Sequence, residues 1–344
     1  MATARPLVRD AAIRAFATRG RRSAIIGLGA CVPDRVLTNA DLEQTVDTSD
    51  QWITERTGIR RRHIAEPGTA SFELGVVAAR RSLSAAGLTG ADIDLVIVAS
   101  SSPDAPFPPM ACRIQEHIGA ERATAFDLLA ACTGWLDGVS IADAQIAAGR
   151  IENALVIGAE TLSRILDWTD RSTCVLLGDA AAAAVVAPSP RNGAGFRSWC
   201  LGSDGRQWDL LTFGSFADTG AYSARDPDPR FRMRGQETFK VAVDVFVRQC
   251  RAVLDAAGAS VEDVDLFVPH QANRRIIEAA AKRLGLGPRQ VLINIDEYGN
   301  TSTATIPLGL EEALDNGRLR SGARVLVASF GAGLTWAAAL MDWP

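Results

Sequence analysis

Ala91-Asp92-Ile93-Asp94-Leu95-Val96 recurs as Glu262-Asp263-Val264-Asp265-Leu266-Phe267, at an offset of 171 residues. Gly149-Arg150-Ile151 recurs as Gly317-Arg318-Leu319 at 168, and Leu155-Val156-Ile157 as Val325-Leu326-Val327 at 170. Strand-like strings recur by chance, so each match alone is weak. Three with a nearly constant offset point to duplicated halves. Each half then spans about 150–170 residues, an ordinary domain size.

Outward from the repeats, short apolar runs alternate with helical patterns. Residues 24–29, 95–99, 154–158, 266–268 and 325–328 predict strands, and residues 138–148 and 272–284 predict helices. That alternation predicts α/β layers. We expect an N-terminal half over 23–190 and a C-terminal half over 191–344. Residues 1–22 form an Arg-rich extension, expected to be flexible, with Asp10 its only acid. We read it as a bland extension in a cytoplasmic protein; an organellar leader is the alternative.

Composition excludes several function classes. The 344 residues carry a formal charge of −4, which argues against a nucleic-acid partner. The longest charge-free run, residues 325–341, is short for a membrane span and contains two glycines. Only Lys240 and Lys282 could carry Schiff-base chemistry. Three histidines, His63, His117 and His270, argue against a multi-histidine zinc site, and we expect neither metal nor redox cofactor. Six scattered cysteines without a C-x-x-C pair indicate a reducing compartment.

Four positions could carry chemistry. Phe126-Asp127-Leu128-Leu129-Ala130-Ala131-Cys132-Thr133-Gly134-Trp135 reads as a strand turning sharply into a helix. Cys132 at that turn is either a nucleophile, its pKa lowered by the helix N-terminus, or a small buried cysteine. His270 ends a strand, where catalytic groups gather, or is a core histidine. Asn300 sits in a Gly-Asn turn, yet lies 168 residues after Cys132, so the two could occupy equivalent turns facing one crevice. Phe330-Gly331-Ala332-Gly333-Leu334 offers either an oxyanion-hole N–H at Gly333 or a packing turn.

These motifs together resemble the β-ketoacyl-acyl-carrier-protein synthase III family of thiolase-like condensing enzymes. The resemblance runs from about Ser23 onward. It rests on Asp47-Thr48-Ser49-Asp50-Gln51-Trp52-Ile53, Glu55-Arg56-Thr57-Gly58-Ile59, Arg62-His63-Ile64-Ala65, Ala130-Ala131-Cys132, Pro269-His270-Gln271-Ala272-Asn273, Gly299-Asn300-Thr301-Ser302 and Phe330-Gly331-Ala332-Gly333-Leu334-Thr335-Trp336. It implies a five-layer αβαβα fold of duplicated halves and a homodimer. It implies a decarboxylative condensation of an acyl-CoA primer with malonyl-acyl-carrier protein, through an acyl-Cys intermediate, initiating fatty acid synthesis. The alternative is a starter-loading or acyltransferase enzyme of polyketide or secondary metabolism.

By the same matching, Cys132, His270 and Asn300 form the catalytic triad, with Cys132 and Gly333 as oxyanion donors. Trp52, Arg56, Thr57, Arg171 and Asn273 line the coenzyme A entrance, and Arg275 docks the carrier protein. Phe107 and Trp135 shape the primer pocket. Thr133, Trp135 and the run Ala180-Ala181-Ala182-Ala183-Ala184 depart from the family's usual pattern.

Overall fold

The computed structural model describes residues 13–191, 193–213 and 230–344. Two five-stranded sheets dominate. The first has the order β2-β8-β7-β5-β6: β2 (Ser23–Cys31), β5 (Leu95–Ala99), β6 (Thr124–Leu128), β7 (Ala154–Glu160) and β8 (Ala180–Pro188). The second has the order β1-β9-β14-β13-β12: β1 (Ala15–Ala17), β9 (Gly195–Ser203), β12 (Leu266–Pro269), β13 (Arg324–Gly331) and β14 (Thr335–Asp342). Two small hairpins flank them, β3 (Val36–Thr38) with β4 (Arg61–His63) and β10 (Leu211–Phe213) with β11 (Phe231–Met233). The helices are α1 (Asn39–Glu43), α2 (Asp50–Thr57), α3 (Ser71–Ala86), α4 (Met110–Ile118), α5 (Gly134–Ala147), α6 (Gly235–Ala257), α7 (Arg274–Leu284), α8 (Ile295–Tyr298) and α9 (Thr305–Asp315).

Apolar residues sort these elements into five layers. Leu136 and Val139 of α5 and Ile306 and Leu310 of α9 share one core with Ile97, Val156, Val268 and Val327, so both helices lie between the sheets. On the outer side of the first sheet, α3 and α4 bury Leu83 and Ile114. On the outer side of the second, α6 and α7 bury Phe246 and Ile277. Strands covered on both faces read as continuous apolar runs, which is why the strand expectations hold. The duplication is visible in strand order. Along each sheet β2 matches β9, β8 matches β14, β7 matches β13 and β5 matches β12. Both sheets are mixed: β5 pairs in parallel with β6 and β7, while β7 and β8 are antiparallel.

Two expectations are corrected here. The extension over 1–22 does not stand wholly apart, because Ala15–Ala17 adds an antiparallel edge strand to β9 through Ala15↔Cys200, Phe16↔Trp199 and Ala17↔Ser198. Residues 1–12 lie outside the described residues. The physical reason is that β9 would otherwise present an unpaired edge, and Ile13 and Ala15 pack on the second core. The residue equivalent to Cys132 is Thr303, not Asn300. Short 3₁₀ turns at Ala131–Thr133 and Ser302–Ala304 match at 171, and each opens with a left-handed residue, Ala131 at φ 47 and Ser302 at φ 48. Helix α5 has 14 residues and α9 has 11, which shortens the offset to 168 by the Gly-Arg repeat.

Candidate active site

Strand β6 ends at Leu128, and the chain reverses through Ala131–Thr133 into α5. Ala131 at φ 47 is unusual for a residue with a Cβ, and such strain persists only where surroundings fix it. Those surroundings come from the other half. The Ser329 hydroxyl donates to the Cys132 carbonyl at 2.7 Å. A Cβ on Gly331 would lie 2.9 Å from the Cys132 nitrogen, so only glycine lets β13 approach this closely. Gly333, the expected oxyanion donor, lies in the following turn at φ 134. Thr133 ties the turn down, its hydroxyl meeting the Ala130 carbonyl at 2.8 Å, Asp137 at 2.7 Å and Thr335 at 3.1 Å.

The expected lowering of the Cys132 pKa is not what the site gives. Burial pushes the thiol up to about 11; the Ser302 hydroxyl pulls it down and Glu160 adds a further upward push. Cys132 therefore rests as a thiol.

His270 follows the last residue of β12, and its N–H donates to the Ala328 carbonyl at 2.8 Å. Ala328 precedes Ser329, so His270 and Cys132 meet the same end of β13. The ring is 1% exposed, and burial depresses its pKa to about 3, so it is neutral. Its Nδ1 has no hydrogen-bond partner among the described residues. An orphaned buried N–H is costly, so we assign the proton to Nε2, where the ring can donate.

Asn300 is fixed through its backbone. Its N–H donates to Leu176 O at 2.9 Å, and its carbonyl accepts from Gly178 N–H at 3.0 Å. Its side-chain Oδ1 accepts from the Ser302 N–H at 2.9 Å. That bond orients the amide and leaves its NH₂ as the donor the side chain can offer. The Ser302 hydroxyl lies 3.5 Å from the Cys132 sulfur, so the two turns touch.

Glu160 and Ser302 are functional candidates that sequence reasoning missed. Glu160 ends β7, is fully buried, and is satisfied by hydroxyl and amide donors alone. Ser102 Oγ donates at 2.6 Å, Thr303 Oγ1 at 2.8 Å, and the N–H groups of Ser101 and Ser102 at 3.0 Å. Burial raises its pKa. Its available signal was an acid closing an apolar strand, opposite three consecutive serines, Ser100 to Ser102.

The expected entrance residues cluster in part. The Arg56 guanidinium lies 4.8 Å from the Trp52 ring centroid and that of Arg171 5.3 Å, a double cation–π contact. Arg171 also donates to the Asp47 carbonyl at 2.8 Å. Asn273 caps α7 by accepting from Arg275 N–H and donates to the Arg56 carbonyl at 3.0 Å, joining α7 to α2. Arg275 is exposed, 5.6 Å from the Phe239 ring centroid. Thr57 does not join the cluster. It is buried, donating to Ile53 O and accepting from Ile59 N–H to close α2. Trp135 is also buried, its indole N–H on the Val156 carbonyl at 3.1 Å, as part of the central core rather than an open pocket wall. Phe107 is 81% exposed.

Comparison with known proteins matches two family models, described as 3-oxoacyl-[acyl-carrier-protein] synthase III over residues 126–205 and its C-terminal part over residues 254–343. The chain is 50% identical over 322 residues to the beta-ketoacyl-[acyl-carrier-protein] synthase III of Desulfitobacterium hafniense, covering 93% of this chain and 97% of that protein. Among solved structures, 3-oxoacyl-[acyl-carrier-protein] synthase III from Aquifex aeolicus VF5 is 43% identical with a TM-score of 0.86, covering 93% of this chain and all of that one. The priming beta-ketosynthase of the R1128 polyketide pathway is 36% identical with a TM-score of 0.89, covering 95% and 98%.

Proposed function

The chain belongs to the β-ketoacyl-acyl-carrier-protein synthase III family and condenses acyl-CoA with malonyl-acyl-carrier protein to initiate fatty acid synthesis, and from that premise we propose how its residues divide the work. Cys132 attacks the acyl-CoA thioester, and coenzyme A leaves with the thiol proton. The oxyanion is held by backbone N–H groups of Cys132 and Gly333. Malonyl-acyl-carrier protein then loses CO₂. The charge that develops on its thioester oxygen is met by His270 and Asn300. The resulting carbanion attacks the acyl-Cys132 carbonyl, expelling the Cys132 thiolate, which takes up a proton, and giving a 3-oxoacyl-carrier protein.

The meeting of the two left-handed turns carries this reading. It brings Cys132 against the turn that orients the Asn300 amide, while the neutral His270 meets the same end of β13 that holds Cys132. Trp52, Arg56 and Arg171 suit a coenzyme A entrance because guanidinium groups match phosphate and Trp52 offers a face to stack on. Arg275 is placed to meet an acidic carrier. A homodimer fits the bare apolar side chains of Phe107 and Leu129, 81% and 80% exposed, and Phe107 would enter the partner's primer pocket. Among the described residues no helix is long and apolar enough to cross a membrane, and the free cysteines support a cytoplasmic setting.

The test is initial-rate measurement across a panel of acyl-CoA primers with malonyl-acyl-carrier protein. One CO₂ per 3-oxoacyl product is expected. Acyl transfer without CO₂ would favour the starter-loading reading, and no acyl group on Cys132 would overturn the assignment of the nucleophile.

A further inference from the structure

Among the described residues, the Ser302 hydroxyl is the one side-chain donor on the Cys132 sulfur, at 3.5 Å. The backbone delivers it there at some cost, since Ser302 holds φ 48 while 4% exposed. Its own oxygen lies 3.2 Å from Ser101 Oγ. If Ser302 donates to sulfur, Ser101 donates to Ser302, so two hydroxyl dipoles point in series at the nucleophile. Such chains polarise each bond in them. The Ser101 N–H is in turn held at 3.0 Å by the buried Glu160 carboxyl, and Thr303, next to Ser302, donates to the same carboxyl at 2.8 Å. Both ends of the hydroxyl pair are thus anchored on one group.

We propose that Ser302 is a further catalytic residue: its hydroxyl, backed by Ser101, holds the Cys132 thiolate as it forms and attacks. Glu160 is the positioning residue beneath both. The site needs such a donor. Glu160 at the end of β7 places negative charge near the sulfur, His270 after β12 is neutral, and Asp137 of α5 sits behind Thr133. Among the described residues no side-chain cation lies in these contacts. Ser302 gives up no proton; the thiol proton ends on the departing coenzyme A sulfur. Removing the hydroxyl leaves the Ser302 N–H on Asn300, so the donor pair for decarboxylation stays set.

The inference rests on Cys132 being the nucleophile, and the test separates the two. In wild-type enzyme, iodoacetamide alkylation of Cys132 is followed against pH by peptide mass mapping. Ser302→Ala should move the midpoint up by about one unit and slow priming by acetyl-CoA at pH 7 roughly tenfold, the scale of one hydrogen bond to a charged group. Ser101→Ala should shift it less, in the same direction. Enzyme acylated beforehand should still decarboxylate malonyl-acyl-carrier protein within about twofold of wild type, an effect too small for a lost charge-assisted bond. Ser302→Gly also removes the hydroxyl but relaxes the left-handed backbone, and serves if the alanine variant does not fold. A wild-type chain not labelled at Cys132 would overturn the nucleophile itself. Labelling at Cys132 with an unmoved midpoint in the Ser302 variants would overturn only the role of Ser302.

Discussion

In the role proposed for it, His270 meets the reaction as an uncharged ring, because burial holds its pKa at about 3. A neutral donor suits a negative charge that appears only during decarboxylation. His270→Ala and Asn300→Ala should therefore still take an acetyl group on Cys132 while losing roughly 10²-fold or more in CO₂ release, the usual effect of one missing oxyanion donor. The double variant should lose less than the product of the two, because both serve one oxyanion. Burst labelling and CO₂ release on the three variants check this. Asp137 behaves differently. Burial raises its pKa from 3.8 to about 6, so the folded state holds the proton more tightly than the unfolded chain. Its contribution to stability is present in acid and is lost as pH rises through 6. Asp137→Asn should raise the Tm at pH 8, with the gain fading towards pH 4. Cys132, His270 and Asn300 were legible because each stands in a recognisable motif at a strand end or turn. Ser302 was quoted only as the tail of the Asn300 motif, since a serine hydroxyl carries no sign of where it points. Glu160 was passed over because a charged residue at the end of an apolar run reads as the start of a loop.

At the scale of elements, close approach decides the packing. A Cβ on Gly27 would fall 2.3 Å from the Ser82 carbonyl and one on Gly29 2.3 Å from the Ser82 nitrogen, so α3 lies directly on the backbone of β2. The alanine run in β8 belongs to the same arrangement. Ala181 and Ala183 face the core under α3, while Ala180 and Ala182 face Ala304 and Leu308 at the start of α9. Small side chains on both faces let helices settle close to the sheet from either side. Gly27→Ala should cost about 1–3 kcal/mol, the range for overpacking, measured by denaturant unfolding, because the clash is with backbone and no rotamer can relieve it. The strands were legible from unbroken apolar runs. The tight crossing was not, because a run of alanines states a side-chain size without stating what lies above it.

For the molecule as a whole, the duplicated halves followed from the repeats and the five layers from the family resemblance, but the contribution of the first residues did not. Ala15-Phe16-Ala17 is too short to announce a strand, and it forms one only because β9 offers an edge 180 residues later. Deleting residues 1–18 should lower the Tm and promote aggregation through the bared edge, with kcat little changed, since the turns that carry Cys132 and Ser302 lie away from that edge. The docking role proposed for Arg275 belongs to the same scale, since it would act on encounter. Arg275→Glu should raise the KM for the acidic carrier protein more than for a short malonyl-thioester mimic; equal effects on both would remove it from docking.

The pairing of β1 also sets an order of events during synthesis. Ala15 finds its partner Cys200 only when that residue emerges from the ribosome, at usual elongation rates about 10–40 s later. Ser23 waits almost as long for Pro188. Among the described strand pairs, these two strands wait longest for their partners. During that interval β2 lacks its strand partner, and Arg19, Arg21 and Arg22 just before it discourage pairing with a wrong neighbour.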